Sequence, residues 1–428
     1  MNKLILFVLL SAFGFSRANA ADIEFWHGLS GPAEVALQNE CNAFNESQAK
    51  DHIRCVGQGT YEAGMQKAIA SVRAKQNPVL IQIFDAGTLD LMVSGAIVPI
   101  YTSVTDVDWK QYLNAARSYY ETSGGKLYSQ PYNASTLILY GNKALLAKAG
   151  IVQLPATYEE FAADARKLKA AGVSCPFVTD ATPWRILEEF AARHDVAIAS
   201  LSNGYDGLNA EYAFNKGLIA KHMANLVAWR NEGLLRLEQD TKAGQYLAAF
   251  DSKECALMED STGDFRSASA ALGQDVMVGL APMYAGYARH NTFVGGASIW
   301  LMKGHTEAEV NAAKAFLAFI RSPEQQVEFS KKTGYLPVTS QAIQLMENDP
   351  ASPAVVKPGI ASMSSTPSAN DRGIRLGFFV QFRDIFREDM QKAFAGQQSV
   401  EASLDDAKQR GDALLRRFAQ TYNGLQLP

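Results

Sequence analysis

The sequence predicts an α/β fold of two lobes joined by strands that run from one lobe into the other. Segments with helical periodicity alternate with strand-like segments along most of the chain, which is typical of layered α/β folds with largely parallel sheets. The length is about two to three times that of an ordinary domain. One segment, residues 127–142, is extended over about 50 Å, which is longer than a single sheet requires.

The first twenty residues predict a cleavable export signal. Lys3 supplies the positive charge, residues 4–15 are apolar, and residues 18–20 read Ala-Asn-Ala, the pattern that signal peptidase recognises. Removal of 20 residues from 428 leaves a mature chain of 408 that starts at Ala21. No Cys follows the cleavage point, so we expect no lipid anchor. The sequence therefore predicts a freely diffusing protein of the Gram-negative periplasm.

The composition excludes several functional classes. Without Lys3 and Arg17 of the signal, 38 basic residues remain against 44 acidic ones, so the mature net charge is −6. A nucleic-acid binder would show a basic excess or a basic stripe, and neither is present in the sequence. ATP and NAD are effectively absent from the periplasm, and we predict no cofactor. We expect a monomer.

Four cysteines in an exported chain predict two disulfides, with three possible pairings. Cys41 and Cys55 flank a helix end and the strand after it, which favours a bridge between them. Cys175 would then pair with Cys255. There is no Cys-x-x-Cys motif, and the cysteines are not grouped with the six histidines, so we predict no metal site.

The amino-terminal part begins with a strand over 23–26 and a helix over 32–44. A second helix is predicted over 61–75, followed by an apolar strand over 79–84. Asp85 comes directly after this strand. In open α/β sheets, the carboxyl ends of strands are where ligands bind.

Later segments predict the connections between the lobes. Residues 127–142 and 294–301 are predicted to be strands that cross from one lobe to the other. Residues 348–370 contain four prolines and many serines, and we predict an irregular surface connection there. Two helices follow, over 378–394 and 399–418.

Six short motifs occur in one order along the chain: Phe25-Trp26-His27, Gly59-Thr60-Tyr61-Glu62, residues 129–136 (Ser-Gln-Pro-Tyr-Asn-Ala-Ser-Thr), Gly295-Gly296-Ala297-Ser298, residues 333–337 (Thr-Gly-Tyr-Leu-Pro) and Arg375-Leu376-Gly377. In these motifs the chain resembles the maltose-binding-like family of extracellular solute-binding proteins. Within that family it resembles the periplasmic receptors for sn-glycerol-3-phosphate that serve ABC importers. The resemblance covers essentially the whole mature chain.

The resemblance implies the periplasmic binding protein type II fold, in which two α/β lobes close on a ligand in the cleft between them. It assigns residues 21–134 and 298–336 to the N-terminal lobe, and residues 138–294 and 337–428 to the C-terminal lobe. The implied activity is binding, without catalysis. The implied ligand is sn-glycerol-3-phosphate, extended to glycerophosphodiesters such as glycerophosphocholine. The implied partners are the membrane permease subunits of an ABC importer with a cytoplasmic ATPase.

The resemblance also implies a set of ligand contacts: Tyr61, Asp85, Ser135, Ser261, Gly296, Tyr335 and Arg383, with Trp184 as a wall of the cleft. This chain departs from its relatives at three places in the implied cleft. Relatives usually carry Glu where Asp85 stands, they carry Trp where Tyr158 stands, and they carry a pair of Trp residues of which only Trp184 remains here. Tyr158 is therefore a further candidate for the cleft wall.

Two charged residues of this set have a chemical interpretation of their own. Arg383 could bind phosphate oxygens with both arms of its guanidinium, assisted by Arg375. The alternative is that both arginines make ordinary surface ion pairs, for instance with Asp384 or Glu388. Asp85 is expected to accept hydrogen bonds from glycerol hydroxyls.

The neutral residues have structural alternatives as well. Ser261 opens an apparent helix, where a hydroxyl either binds an anion or simply caps the helix. Gly296 either allows a close approach of ligand to the backbone or is a turn glycine. Ser135 could donate one hydrogen bond, and Tyr61 and Tyr335 offer phenolic donors, although buried tyrosines often serve packing alone.

Two other functions agree less well with the sequence than capture of a glycerol phosphate does. An oligosaccharide receptor of the same fold would depend on stacked aromatic residues, of which this chain has few at the expected places. A periplasmic phosphodiesterase would need clustered metal ligands, or a nucleophile with its base. The sequence shows no catalytic motif of these kinds.

Overall fold

A computed structural model describes residues 20–425 of the protein, so all of the predicted export signal except Ala20 lies outside the described residues. Two mixed β-sheets, each covered by helices, form two α/β lobes. The strands of the described part are β1 (Asp22–His27), β2 (His52–Gly57), β3 (Leu80–Phe84), β4 (Ile97–Val98), β5 (Gln130–Ser135), β6 (Leu137–Asn142), β7 (Cys175–Thr179), β8 (Leu235–Leu237), β9 (Cys255–Ser261), β10 (Val276–Leu280) and β11 (Gly295–Met302).

The helices cover these sheets and agree with the four predicted helices to within three residues at each end. They are α1 (Gly31–Ser47), α2 (Tyr61–Ala74), α3 (Thr88–Val93), α4 (Ile100–Ser103), α5 (Asn114–Ser118), α6 (Lys143–Lys148), α7 (Tyr158–Ala170), α8 (Glu189–Arg193), α9 (Ser200–Asn203, with left-handed residues), α10 (Gly217–Asn231), α11 (Tyr246–Asp251), α12 (Phe265–Leu272), α13 (Glu307–Arg321), α14 (Pro323–Thr333), α15 (Ser340–Glu347), α16 (Val356–Met363), α17 (Phe379–Phe394) and α18 (Val400–Thr421). Over the same residues, no helix is both long enough and apolar enough to cross a membrane.

The sheet of the N-lobe has the order β2-β1-β3-β11-β4, and β5 pairs with β11. The sheet of the C-lobe has the order β10-β6-β9-β7-β8. Strands β5 and β6 follow each other with Thr136 between them, so one extended segment passes from the first sheet into the second. This confirms the crossing predicted within residues 127–142.

Two predictions about the later segments are wrong. Strand β11 lies wholly in the N-lobe sheet, between β3 and β5, and the chain passes from the C-lobe before it, in residues 281–294. Its continuous apolar sequence reflects a central strand buried on both faces. Residues 348–370 contain the helix α16. Pro358 is compatible with this helix because it lies in the first turn, where its missing N–H is not needed.

Both predicted disulfides are confirmed. Cys41–Cys55 ties α1 to β2, and Cys175–Cys255 joins β7 to β9 at a point where the two residues are in register. Each bridge therefore lies within one lobe, where it fixes a helix or a strand to the sheet that ends at the cleft.

Candidate ligand-binding cleft

A cavity of about 240 Å³ lies between the lobes. It is lined by all eight residues that the sequence predicts as ligand contacts, namely Tyr61, Asp85, Ser135, Trp184, Ser261, Gly296, Tyr335 and Arg383. Four further residues line it that the sequence interpretation missed: Glu62, Phe84, Arg185 and Asp264. The structure thus brings together residues that are as much as 322 positions apart in the sequence, from Tyr61 to Arg383.

Strand ends explain why these residues meet. Asp85 directly follows β3, Ser135 ends β5 and Ser261 ends β9, so three carboxyl ends point to the cavity. Strand β11 is antiparallel to β3, and the first residues of β11 therefore lie at the edge of the sheet where β3 ends. That places Gly296 opposite Asp85, in agreement with the rule that ligands bind at this edge of α/β sheets.

The N-lobe side of the cavity is a chain of neutral hydrogen bonds. Gln82 Nε2 donates to Asn133 Oδ1 at 2.7 Å, and Asn133 Nδ2 donates to the Tyr61 hydroxyl oxygen at 2.8 Å. The hydroxyl oxygens of Tyr61 and Tyr335 are 3.5 Å apart. Burial raises the pKa of both tyrosines, so both remain neutral donors. Because Tyr61 already accepts a hydrogen bond, its own proton is available to a ligand.

Glycine is required at two positions of this wall for reasons of packing. Gly296 has φ +99°, and a Cβ there would overlap the carbonyl oxygen of Asn133. A Cβ on Gly295 would lie 2.5 Å from the ring of Trp184. Close contact between β11, β5 and the indole therefore accounts for both glycines, and the backbone of Gly296 still faces the cavity.

The opposite end of the cavity is charged. Arg383 of α17 donates from Nε and Nη2 to the two carboxylate oxygens of Glu188, at 2.7 and 2.6 Å. Its Nη2 also donates to Asp85 Oδ1 of the N-lobe at 2.6 Å. The guanidinium carbon lies 5.6 Å from the centre of the Phe84 ring and 5.3 Å from that of Phe379. One buried arginine of the C-lobe therefore holds a carboxylate from each lobe.

Burial dominates the acid–base behaviour of this end. Arg383, Glu188 and Asp85 are exposed by only 8%, 1% and 4%. Burial raises the pKa of Asp85 and of Glu188, and the neighbouring guanidinium of Arg383 opposes the shift in both cases.

Neither sequence interpretation of Arg383 describes this arrangement. It is not a surface ion pair, since Asp384 pairs with Arg387 and Glu388 pairs with Arg410. As a phosphate fork it would need free arms, and its Nε and Nη2 are bound to carboxylates.

The assisting role predicted for Arg375 is also wrong. Its Nη2 donates to the backbone carbonyl oxygens of Tyr119 and Glu121, at 3.2 and 2.6 Å. Its guanidinium carbon lies 4.4 Å from the centre of the Tyr205 ring. Arg375 therefore holds backbone of the N-lobe and does not line the cavity.

The C-lobe side carries a second ion-paired arginine. Arg185 donates from Nε and Nη2 to Asp260 Oδ1, at 3.1 and 2.5 Å, and from Nη1 to Asp180 at 2.7 Å. Asp260 also accepts the N–H of Ser261 at 2.7 Å. The Ser261 hydroxyl oxygen in turn accepts the N–H of Gly263 at 3.0 Å. Ser261 therefore caps the turn with its oxygen and keeps its proton available to a ligand.

Trp184 and Glu188 are placed by a single π-helical turn, Trp184–Glu188. The N–H of Glu189 closes this turn by donating to the carbonyl oxygen of Trp184. The indole of Trp184 then lines the cavity, while Glu188 lies behind Arg383. Turns of this kind occur frequently at functional sites.

Tyr158 does not line the cleft, and its prediction as a cleft wall is wrong. It is 1% exposed in the core of the C-lobe, where its hydroxyl lies 3.0 Å from Glu259 Oε1 and also contacts Arg193. As the first residue of α7 it packs between that helix and α10, with the ring of His222 4.8 Å away. His27, which the sequence interpretation left out of the site, is likewise absent from the lining.

A second chamber of about 430 Å³ adjoins the first and shares Tyr61, Glu62, Asp264 and Tyr335 with it. Residues 28–33, which form the loop after β1 and the start of α1, line it from the N-lobe, and Leu247 lines it from the C-lobe. Within residues 20–425, no group of three or more His, Cys, Asp or Glu side chains is arranged to hold a metal ion.

The chain is similar to known proteins in both sequence and fold. A family model described as bacterial extracellular solute-binding protein matches residues 41–355. The sn-glycerol-3-phosphate-binding periplasmic protein UgpB of Yersinia pseudotuberculosis is 32% identical over 431 residues, which cover 97% of each chain. The protein of the same name from Agrobacterium fabrum is 33% identical and covers 96% of each chain.

Solved structures share the fold at lower identity. UgpB from Mycobacterium tuberculosis in complex with glycerophosphocholine has a TM-score of 0.74 and 20% identity, and the match covers 93% of this chain and 99% of that one. The GacH receptor of Streptomyces glaucescens, solved unliganded and with acarbose, has a TM-score of 0.79 and 16% identity over the same shares. These matches confirm the type II arrangement of two α/β lobes.

Proposed function

The chain belongs to the family of bacterial extracellular solute-binding proteins, and from that premise we propose that it captures a glycerol phosphate ester and delivers it to an ABC import permease. The ester is sn-glycerol-3-phosphate or a glycerophosphodiester such as glycerophosphocholine. The names of the curated relatives support the first ligand. The observation that carries the proposal is a single cavity that combines the ion pair of Asp85 and Arg383 with several hydroxyl donors, the two kinds of group that the two ends of such an ester need.

The charged end is suited to the glycerol hydroxyls. Each hydroxyl both donates and accepts a hydrogen bond, and Asp85 beside Arg383 offers an acceptor and donors at one place. Two carboxylates share one guanidinium here, so acidic groups outnumber the cation at this end. A phosphate group would be repelled there, so we place the glycerol at Asp85 and Arg383.

The other end, called the neutral end for its hydroxyl donors although Glu62 and Asp264 also line the cavity, is suited to the phosphate. The hydroxyl groups of Tyr61, Ser135, Ser261 and Tyr335 and the backbone of Gly296 line it, and all can donate hydrogen bonds. Hydrogen bonds from neutral donors to a charged oxygen contribute about 1.5–3 kcal/mol each. Several such donors can therefore hold an anion without a cation of their own.

The adjoining chamber supports binding of diesters. It opens beside Tyr61 and Tyr335, next to the proposed phosphate position, and its volume of about 430 Å³ can take the second alcohol of a diester. A diester also carries one negative charge where the monoester carries nearly two. Since Arg185 is occupied by Asp180 and Asp260, the smaller charge matches the neutral end better. We therefore expect glycerophosphocholine to bind more tightly than sn-glycerol-3-phosphate.

Calorimetric titration of the mature protein tests the function. We expect saturable heat with glycerophosphocholine and sn-glycerol-3-phosphate, and none with maltose, the probe for an oligosaccharide receptor. The control is a cooperative thermal melt of the same sample. If the folded protein gives no heat with either glycerol ester at millimolar concentration, the proposed function is wrong.

We also propose where the protein is located and how it is assembled. Export with cleavage after Ala20 predicts a mature protein that begins with Ala-Asp, which intact-mass measurement of periplasmic protein checks. We expect this protein to be a monomer that lacks enzymatic activity on its ligand. Unchanged glycerophosphocholine after overnight incubation would agree with that expectation, and release of choline would contradict it.

A further inference from the structure

We propose that Glu188 sets the selectivity of the charged end of the cleft, so that this end accepts a hydroxyl group and rejects a carboxylate. The inference rests on the proposed function and adds to it a residue that does not line the cavity. Glu188 would distinguish two kinds of three-carbon phosphate. They differ at the carbon farthest from the phosphate, where one kind has CH₂OH and the other has COO⁻.

The geometry makes Glu188 the main partner of Arg383. Both of its carboxylate oxygens accept from the guanidinium, at 2.7 and 2.6 Å, and its side chain is 1% exposed. Asp85 takes a third hydrogen bond from the same Nη2. Two of the three guanidinium nitrogens are therefore bound to carboxylates before any ligand enters, and a paired arrangement with an incoming carboxylate is blocked.

Among the described residues that face Glu188, only Arg383 carries a positive charge. The groups that face Glu188 are Arg383, the acids Asp85 and Glu189, and the phenols Tyr119 and Tyr212. Both phenol oxygens are buried and, within the described residues, have no hydrogen-bond partner. The other arginine of the cleft, Arg185, is held by Asp180 and Asp260. One guanidinium thus faces two nearby carboxylates, with only neutral or acidic groups around them.

A carboxylate ligand at this end would bring a third negative charge next to one positive charge. At an effective dielectric constant of about 20, a repulsion over roughly 6 Å corresponds to a change of about 100-fold in affinity. A hydroxyl group meets no such repulsion and can donate to Asp85. Glu188 is therefore a positioning residue that also supplies the excess charge.

Glu188→Gln tests the proposal because it keeps the size of the side chain and removes its charge. The probes are sn-glycerol-3-phosphate and 3-phosphoglycerate, titrated separately by calorimetry into the wild type and the variant. We expect the wild type to prefer sn-glycerol-3-phosphate by at least tenfold. In the variant we expect this ratio to fall at least tenfold, mainly because the affinity for 3-phosphoglycerate increases.

The neighbouring residue provides a matched control. Glu189 is also buried, at 0% exposure, but its carboxylate contacts Thr292 and not Arg383. Glu189→Gln should leave the ratio of the two affinities unchanged within about twofold. A role of Glu188 that is merely structural would lower both affinities together and leave their ratio unaltered.

Different outcomes would refute the role of Glu188 and the proposed function. The proposal is overturned if folded Glu188→Gln keeps the wild-type ratio, or if the wild type binds 3-phosphoglycerate as tightly as sn-glycerol-3-phosphate. If Glu188→Gln does not fold, Asp85→Asn removes the other carboxylate. An unchanged ratio in Asp85→Asn would then overturn the proposal. A wild type that binds no glycerol ester at all would instead refute the proposed function.

Discussion

The two walls of the cleft are built from different chemistry. On the N-lobe side, Gln82, Asn133 and Tyr61 form a neutral chain of hydrogen bonds. On the C-lobe side, Arg185 and Arg383 are each held by buried carboxylates. The loss of a neutral group leaves one polar group without its hydrogen-bond partner, whereas the loss of a buried cation leaves a buried carboxylate without a compensating charge. The two walls should therefore respond very differently to equally small substitutions.

The largest effect is expected for Arg383→Ala, on the charged wall. It leaves Asp85 and Glu188 buried without their cation, so we expect the free energy of unfolding to fall by about 3–5 kcal/mol and ligand binding to be lost. The sequence interpretation, in which Arg383 was a free phosphate fork, implied almost no loss of stability. Urea unfolding and calorimetric titration measure the two effects.

Arg387→Ala is the matched control for Arg383→Ala, one turn later on the same helix. Arg387 is 43% exposed and pairs with Asp384, so its removal should change the free energy of unfolding by less than about 0.5 kcal/mol. Equal stability of the two variants would show that the charged wall does not depend on Arg383.

An intermediate effect is expected from pH, because each lobe contains a buried glutamic acid whose pKa lies far above its ordinary value. Burial raises the pKa of Glu40 in the N-lobe and of Glu189 in the C-lobe to about 8, from an ordinary value of 4.5. Their protonated forms stabilise the folded state fully below pH 4.5, and that stability is lost as pH rises through 8. We expect the free energy of unfolding to fall by about 2 kcal/mol or more between pH 5 and 8.5.

Glu40→Gln and Glu189→Gln distinguish the contributions of the two lobes to this pH dependence. Each variant should show a smaller fall in stability between pH 5 and 8.5 than the wild type, in urea unfolding at a series of pH values. Glu40 also accepts the hydroxyl of Tyr132, and Gln can still accept that hydrogen bond. A pH dependence identical to that of the wild type would mean that the glutamate in question ionises normally in the folded protein.

The smallest effect is expected on the neutral wall. Tyr61→Phe keeps the ring against Phe84 and removes only the hydroxyl that accepts from Asn133. We expect the free energy of unfolding to fall by about 1 kcal/mol and the affinity for ligand to fall about tenfold. Tyr101→Phe, outside the cavity, should change neither quantity. An effect as large as that of Arg383→Ala would remove the distinction between the walls.

The fold was predictable because its signals are local. Helix and strand periods, the strand end at Asp85 and the placement of cysteines each depend on a few neighbouring residues. The predicted strand crossing at 294–301 failed because an apolar run shows that a strand is buried and does not show which sheet it joins. The same limit explains α16, where prolines suggested a loop although Pro358 suits a first helical turn.

The residues that line the site were predictable from the sequence, but the ion pairs among the charged residues were not. Arg383 and Glu188 are 195 residues apart, and no local pattern links them. A signal for Glu188 existed, since Glu188 and Glu189 interrupt an otherwise apolar helical run, as Gln82 interrupts β3. Tyr158 was misjudged because a substitution for tryptophan gives no information on whether the side chain faces the cleft or the core.

The contact between Asp85 and Arg383 joins the two lobes directly, residue to residue. An attraction of this kind favours the closed form of the empty protein, and every 1.4 kcal/mol of it raises the closed, empty population about tenfold. A permease that recognises the closed outline meets empty and loaded copies alike. The rate of import then depends on the ratio of loaded to empty copies as well as on the total amount of receptor.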